Sequence, residues 1–271
     1  MDPLTTEGAE HRLVDVMGTV VTFDVRDGNA DPGQIHLALA RAEADLHRAD
    51  FVFSTWKANS PVSRLRRGEI EVGDAPPEVA DVLELCRLAR QASGGWFDPW
   101  ATPDGVDPTG LVKGWAAQRA LARLAAVPGL EGVMVNAGGD IACSGQVAPD
   151  RPWRVGIRSP EDAGTIIATV DGAPAVATSG AYERGAHIYR PAPVRSAPTA
   201  DDAMVTSASV VGPDLWMADA LATGLAAGGV DALAAIAALP GYHALIVLAG
   251  GRTHTTDGSP FIGVAESADA A

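Results

Sequence analysis

The chain has 271 residues, 47% of them hydrophobic and 20% charged, with a formal net charge of -14. That length and composition allow a sizeable core, as one large domain or two intimate ones, and argue against a disordered chain. The acidic balance argues against nucleic acid or an anionic membrane surface as the main partner, and a phosphate ligand would need local cations, backbone N–H groups or a metal.

Cys86 and Cys143 form neither a CxxC pair nor a disulfide framework, which argues against a zinc site and for core packing of both. The N-terminal stretch "MDPLTTEGAEHRLVDVM" is polar and acidic. It has no basic n-region, no apolar h-region and no lipobox cysteine, so the cytoplasm is the expected location. No membrane span is expected, because the longest nearly apolar stretches, 215–228 and 232–250, are broken by Asp219, Pro240 and His243.

In chain order, the alternating, β-branched "GTVVTFDV" (18–25) predicts a strand. Asp31 and Pro32 open a helix whose buried face is Ile35, Ala38, Leu39, Ala42, Leu46 and Ala49. Ser60 and Pro61 start a short helix through Arg67. Residues 77–93 predict a helix with Val79, Val82, Leu83, Leu85, Leu88 and Ala89 apolar, and 112–126 predicts another. From 131 to 189 the texture changes to short strands: "GVMVNAGGDIACSG", "WRVGIRS", "TIIATV", "AVATSG" and "GAHIYR". Residues 191–202 read as a loop. "AMVTSASVVG" reads as a strand, 213–227 and 230–238 as helices, and "HALIVLAG" with a final short strand near Arg252–Thr255 completes the pattern. The tail from Glu266 is expected to be disordered. Strands and helices are partly segregated without a regular βαβ period, which predicts an α+β fold of antiparallel or mixed sheets with packed helices. No linker separates independent domains, so 1–271 reads as one domain.

Five stretches can carry chemistry. Within the apolar helix "ADALATGLAAGG" (218–229), Asp219 and Thr223 lie one turn apart on one face. A bare carboxylate there must be paired, hydrogen-bonded, protonated or bound to a metal. Two hard oxygens suit Mg2+ before Ca2+. The plain alternative is an Asp bonded to a backbone N–H and a Thr bonded to its own i−4 carbonyl. In "VDPTGLVKGWAAQRA" (106–120), Lys113 sits near a helix N-terminus, where N–H groups and an ammonium could meet a phosphate; it could equally be a surface lysine. "VNAGGDIACSG" (135–145) offers an anion nest or a plain β-turn. His187, in "VATSGAYERGAHIYRP" (176–191), could move a proton near neutral pH or simply pack. Trp56, Trp96 and Trp100 could stack on a flat ligand or belong to the core.

Taken together, "MGT" (17–19), "FSTWKANSPVSRL", "GGWFDP", "DPTGLVKGWA", "VNAGGD", "ATSGAYERGAHI" and "ADALATGL", in this order over about 13–250, resemble the FAD:protein FMN transferases, the ApbE-type flavin transferase family. The resemblance implies a T-fold-like architecture. It also implies Mg2+-dependent transfer of the FMN moiety of FAD to a threonine hydroxyl of an acceptor flavoprotein, with release of AMP. Carried onto this chain, it makes Gly110 (through its carbonyl, where the family commonly has Ala), Asp219 and Thr223 metal ligands. It sets Met17, Trp56, Trp96, Phe97, Asp98, Asp107, Lys113 and His187 against FAD, and gives His187 and Asp219 catalytic roles. The chain departs from the family pattern at Arg66, at Arg190 and in the short segment Trp100 to Val106. A Mg2+-dependent FAD pyrophosphatase and a non-catalytic FAD-binding protein are the alternatives.

Overall fold

The computed structural model describes residues 9–180 and 204–264. The strand expected at 185–190, the loop at 191–202 and the tail from Glu266 lie outside these residues, as do His187 and Arg190.

Among the described residues eight strands form one sheet, in the order β1 (Ala9–Val16), β2 (Thr19–Arg26), β3 (Gly132–Ala137), β4 (Asp140–Gly145), β7 (Ala175–Ser179), β8 (Val205–Gly212), β9 (His243–Leu248) and β10 (Thr253–Thr255). Each of these pairings is antiparallel. The hairpin of β5 (Arg154–Arg158) and β6 (Ile166–Asp171) is an excursion between β4 and β7. The fold is α+β, as the segregated pattern predicts.

Strand β1 falls in a stretch that composition marks only as polar and acidic. It forms because Val14 and Val16 alternate inward beside Val21, Phe23 and Val25 of β2, while Leu13 stays exposed. Met17 and Gly18 make the two-residue turn between β1 and β2, both with φ near +60° (55° and 69°), as a type I′ hairpin turn requires. Gly138 and Gly139 make the corresponding turn between β3 and β4 (59° and 97°). The two turns abut, since a Cβ on Gly138 would fall 2.5 Å from Thr19 Oγ1.

One face of the sheet carries the helices. In α1 (Pro32–Phe53) the Asp31 carboxylate caps the Gln34 N–H, and the six residues that periodicity assigns to its inner face are all buried. Ser60 caps α2 (Pro61–Arg66) in the same way. In α3 (Pro77–Ala92), Val79, Val82, Cys86 and Ala89 face inward, while Leu88 is exposed. Burial pushes the Cys86 and Cys143 thiols up to about 12, so both are inert packing groups. Helix α4 (Thr109–Ala125) starts earlier than the apolar period suggests, because the Asp107 carboxylate accepts from the Thr109 N–H and hydroxyl. It packs between α1 and α5 (Leu215–Gly228), above β3 and β4. Helix α6 (Val230–Ala237) follows, and the β5–β6 hairpin closes the opposite face over Val176, Val211 and Leu245.

Helices α4 and α5 run antiparallel and nearly touch. Gln118 accepts from the Leu215 N–H (2.7 Å) and donates to Asp214 (2.9 Å), which satisfies the start of α5. One turn back, Gly114 faces Asp219, and another turn back Gly110 faces Thr223. The approach depends on glycine: a Cβ on Gly114 would lie 2.6 Å from the Leu215 carbonyl oxygen and 2.9 Å from the Asp219 Cβ. Gly114→Ala gains about 1 kcal/mol of helix propensity but overpacks a site where backbone must move, which typically costs about 1–3 kcal/mol. The expected outcome is a net loss of up to about 2 kcal/mol in urea denaturation. A variant more stable than the parent, showing the helix-propensity gain uncancelled, would show that the two helices are not in such close contact.

Candidate functional site

The seam between α4 and α5 opens, at the Gly110 end, into a cluster of oxygens. Asp219 is buried, and its Oδ2 accepts from the Gly114 N–H at 2.9 Å. Thr223 Oγ1 lies 3.5 Å from the Gly110 carbonyl oxygen and 3.4 Å from Ser179 Oγ at the end of β7. The plain reading of this helix is thus half realised. The carboxylate does take a backbone N–H, but the threonine turns to another helix and a strand rather than to its own i−4 carbonyl.

Asp140 completes the cluster. It is fully buried at the start of β4, accepts from the Thr178 N–H at 3.1 Å and forms an ion pair with Lys113. Lys113 is therefore not a surface lysine: its side chain is 12% exposed and points to the interior. The Gly138–Gly139 pair is a β-turn whose Gly139 N–H is taken by Asn136 Oδ1, at 2.8 Å, rather than left for an anion.

The electrostatics follow from burial. The Asp219 carboxyl is held well above the usual carboxylate range, first by loss of water and then by the charge of Asp140. Lys113 and the Gly114 N–H act the other way and do not offset it. Of two buried carboxylates, Asp140 holds the Lys113 ammonium and Asp219 the Gly114 N–H, and neutral hard oxygens from Gly110, Thr223 and Ser179 stand beside them. Such a donor set fits a hard cation, whose ligands at about 2.1 Å are oxygens and which keeps open positions for water or phosphate. Among the described residues no group of three or more His, Cys, Asp or Glu side chains could hold a metal, so carbonyl and hydroxyl oxygens would have to contribute.

The remaining expected residues are placed as follows. Met17 sits at the β1–β2 turn, packed against the core and beside the turn that leads into Asp140. Trp56 is 86% exposed. Its loop is tied down by the Ser54 hydroxyl, which accepts from the Trp56 and Lys57 N–H groups, and by the Ser60 and Ser63 hydroxyls, which donate to the Ser54 carbonyl. Phe53, just before that loop, packs edge-on against Trp115 of α4 at 5.4 Å. Phe97 is buried between Gly110 and Gly224, and Trp96 lies against Gly228, so both pack on α5. Asp98 accepts from Arg90 (2.7 Å) and the Trp100 N–H. Asp107 caps the start of α4. Arg66 donates to the Asp104 carbonyl (3.1 Å) and lies 4.0 Å from Asp107, bracing the short 100–106 segment.

Sequence reading passed over Asp140, Gly114, Ser179 and Gln118. An acid on the inward side of the alternation Asp140, Ala142 was the available signal for the first, and the Gly110–Gly114 spacing for the second.

The family model of the ApbE family matches residues 17–105 and 102–246. The chain is 33% identical over 165 residues to the FAD:protein FMN transferase of Rhodobacter capsulatus; the match takes in 58% of this chain and 29% of that protein. The chain thus spans under a third of that relative's length. Its fold is similar to the ApbE protein of Thermotoga maritima (TM-score 0.73, 22% identity, 92% of this chain and 97% of that one). It is also similar to the apo flavinyl transferase ApbE of Pseudomonas stutzeri (TM-score 0.74, 22% identity, 95% and 97%).

An acid whose folded pKa is raised binds more protons in the native than in the unfolded state between about pH 4 and its raised value. Metal-free stability therefore falls as pH rises through that window. Asp219→Asn keeps an acceptor for the Gly114 N–H and removes the titration. In chelator, the variant should gain stability relative to the parent as pH goes from about 4 to 7. A pH-independent difference in urea unfolding would contradict the assigned shift.

Proposed function

The chain belongs to the ApbE family, and on that premise we propose that it transfers the FMN moiety of FAD to a threonine hydroxyl of an acceptor flavoprotein, with Mg2+, releasing AMP. One observation carries this reading: the convergence of Asp219, Thr223 and the Gly110 carbonyl at a buried seam that, among the described residues, sets two acids beside one ammonium. A relative of similar sequence, that of Rhodobacter capsulatus, bears the name FAD:protein FMN transferase.

In this reading Gly110, Asp219 and Thr223 hold the Mg2+, which when bound neutralises diphosphate charge and so lowers the barrier to displacement. The chain's own groups do the rest. The first turn of α4 is held by Asp107 and the Pro108 carbonyl, and Lys113, paired with Asp140, contributes an ammonium to the site. Trp56 supplies a flat, exposed ring on a fixed loop, suited to the isoalloxazine, and Met17 borders the same end of the sheet. Trp96 and Phe97 shape the pocket by seating α5 rather than by stacking, and Asp98 and Asp107 hold the loop that frames it. The acceptor's threonine oxygen forms the new bond to the FMN-side phosphorus as the bond to the AMP oxygen breaks. His187 takes the threonine proton. Within the described residues no helix is long and apolar enough to cross a membrane, so nothing in these elements obliges the acceptor to meet the chain inside a bilayer.

The test is mass spectrometry of a threonine-bearing acceptor after incubation with the protein, FAD and Mg2+, read for added FMN. Free FMN formed at the same rate with and without acceptor, and no adduct, would instead identify a pyrophosphatase; unchanged FAD would identify a binding protein. Asp219→Ala should lower transfer by about 100-fold or more while the metal-free fold is kept, because it removes a ligand and a buried charge together. His187→Ala should slow transfer by about 10²–10⁴-fold with FAD binding largely kept. Full transfer by the Asp219 variant, or lost FAD binding by the His187 variant, would reassign those residues.

A further inference from the structure

Lys113 and Gly114 are consecutive on α4, yet they serve different acids. The Gly114 N–H donates to Asp219 of α5, whereas the Lys113 ammonium pairs with Asp140 of β4. Asp140 has no solvent to share its charge with, and its second oxygen is fixed by the Thr178 N–H of β7. Its position is set further by the turn at Gly138 and Gly139, which starts β4. Lys113 is bonded directly to Gly114, whose N–H meets Asp219, so its four-carbon side chain is within reach of either carboxylate. On Asp219 the ammonium would occupy the place of a cation.

We propose that Asp140 is a positioning residue that holds the Lys113 ammonium off Asp219, leaving Asp219, Thr223 and the Gly110 carbonyl open to a divalent cation. This rests on the cation reading above. Asp140 contributes no ligand in it; it acts through Lys113. A buried acid on a strand, anchored by a neighbouring strand's N–H, suits that task because it cannot follow the lysine.

The test is a double-mutant cycle read as Mn2+ affinity without FAD, by titration calorimetry on the full chain, with thermal unfolding as a check of folding. Asp140→Asn should weaken Mn2+ binding about 10–100-fold, the usual effect of losing a partner that orients a metal site. Lys113→Gln, added to the Asp140→Asn variant, should restore most of that loss, a gain at least about tenfold larger than the one it causes alone. Equal gains in both backgrounds would mean that the two charges act only through space, and would overturn the proposal. Should the single variant not fold, the parent protein still decides: acylation of Lys113, followed by mass spectrometry, should change by less than about twofold on adding Mn2+, because the cation displaces nothing from Asp140. A large rise in reactivity would show that the ammonium had been on Asp219. A parent that binds no Mn2+ would sink the cation reading itself, and this inference with it; binding with an additive cycle would sink the inference alone.

Discussion

The contact between Gly114 and Asp219 sets the terms for everything around it. Two helices meet there closely enough that a single Cβ would strike backbone. Because the gap is so small, the carboxylate can reach a main-chain N–H of the facing helix in the middle of its run. The antiparallel register then follows, with Gln118 closing the start of α5 on one side and Gly110 meeting Thr223 on the other. A larger residue at 114 would separate the helices, and the oxygens at the far end would no longer converge.

That geometry creates an electrostatic problem and offers its resolution. Water is excluded from Asp219 and Asp140, and the Lys113 ammonium pairs with Asp140. Burying like charges at this distance raises the pKa of one of them, which is the direction found for Asp219. A chain with a net charge of -14 has no general attraction for phosphates. Under the proposed function, the cation that the seam would hold, not the average field, is what admits a dinucleotide.

The surroundings are built for rigidity by unequal means. Hairpin turns with positive φ at Met17–Gly18 and Gly138–Gly139 lean on each other through Thr19, and they bring β2 and β4 to the same end. The Ser54–Ser60–Ser63 hydroxyls fix the loop that exposes Trp56. Arg66 donates to the Asp104 carbonyl and so braces the 100–106 segment through its backbone.

Local physics was enough for much of this. The periodicity and cap of α1, the cap of α2, the inner face of α3 and the alternation of β2 are decided by residues within one or two turns of each other, and the chain declares them. The motif order declared the family, and Asp219 with Thr223 could be read as one helical face because four residues along a helix always make one. Strand β1 was not legible, since its pairing with β2, not its polar composition, makes it a strand. Nor was Asp140: it lies 27 residues from Lys113 and 38 from Thr178, distances that only the stacking of α4 on β4 and the pairing of β4 with β7 close. The sequence by itself determined which faces would be buried and which acid sat in an apolar helix. The tertiary structure alone decided what that acid meets, because a partner's identity depends on which distant segments the packing brings within hydrogen-bond reach.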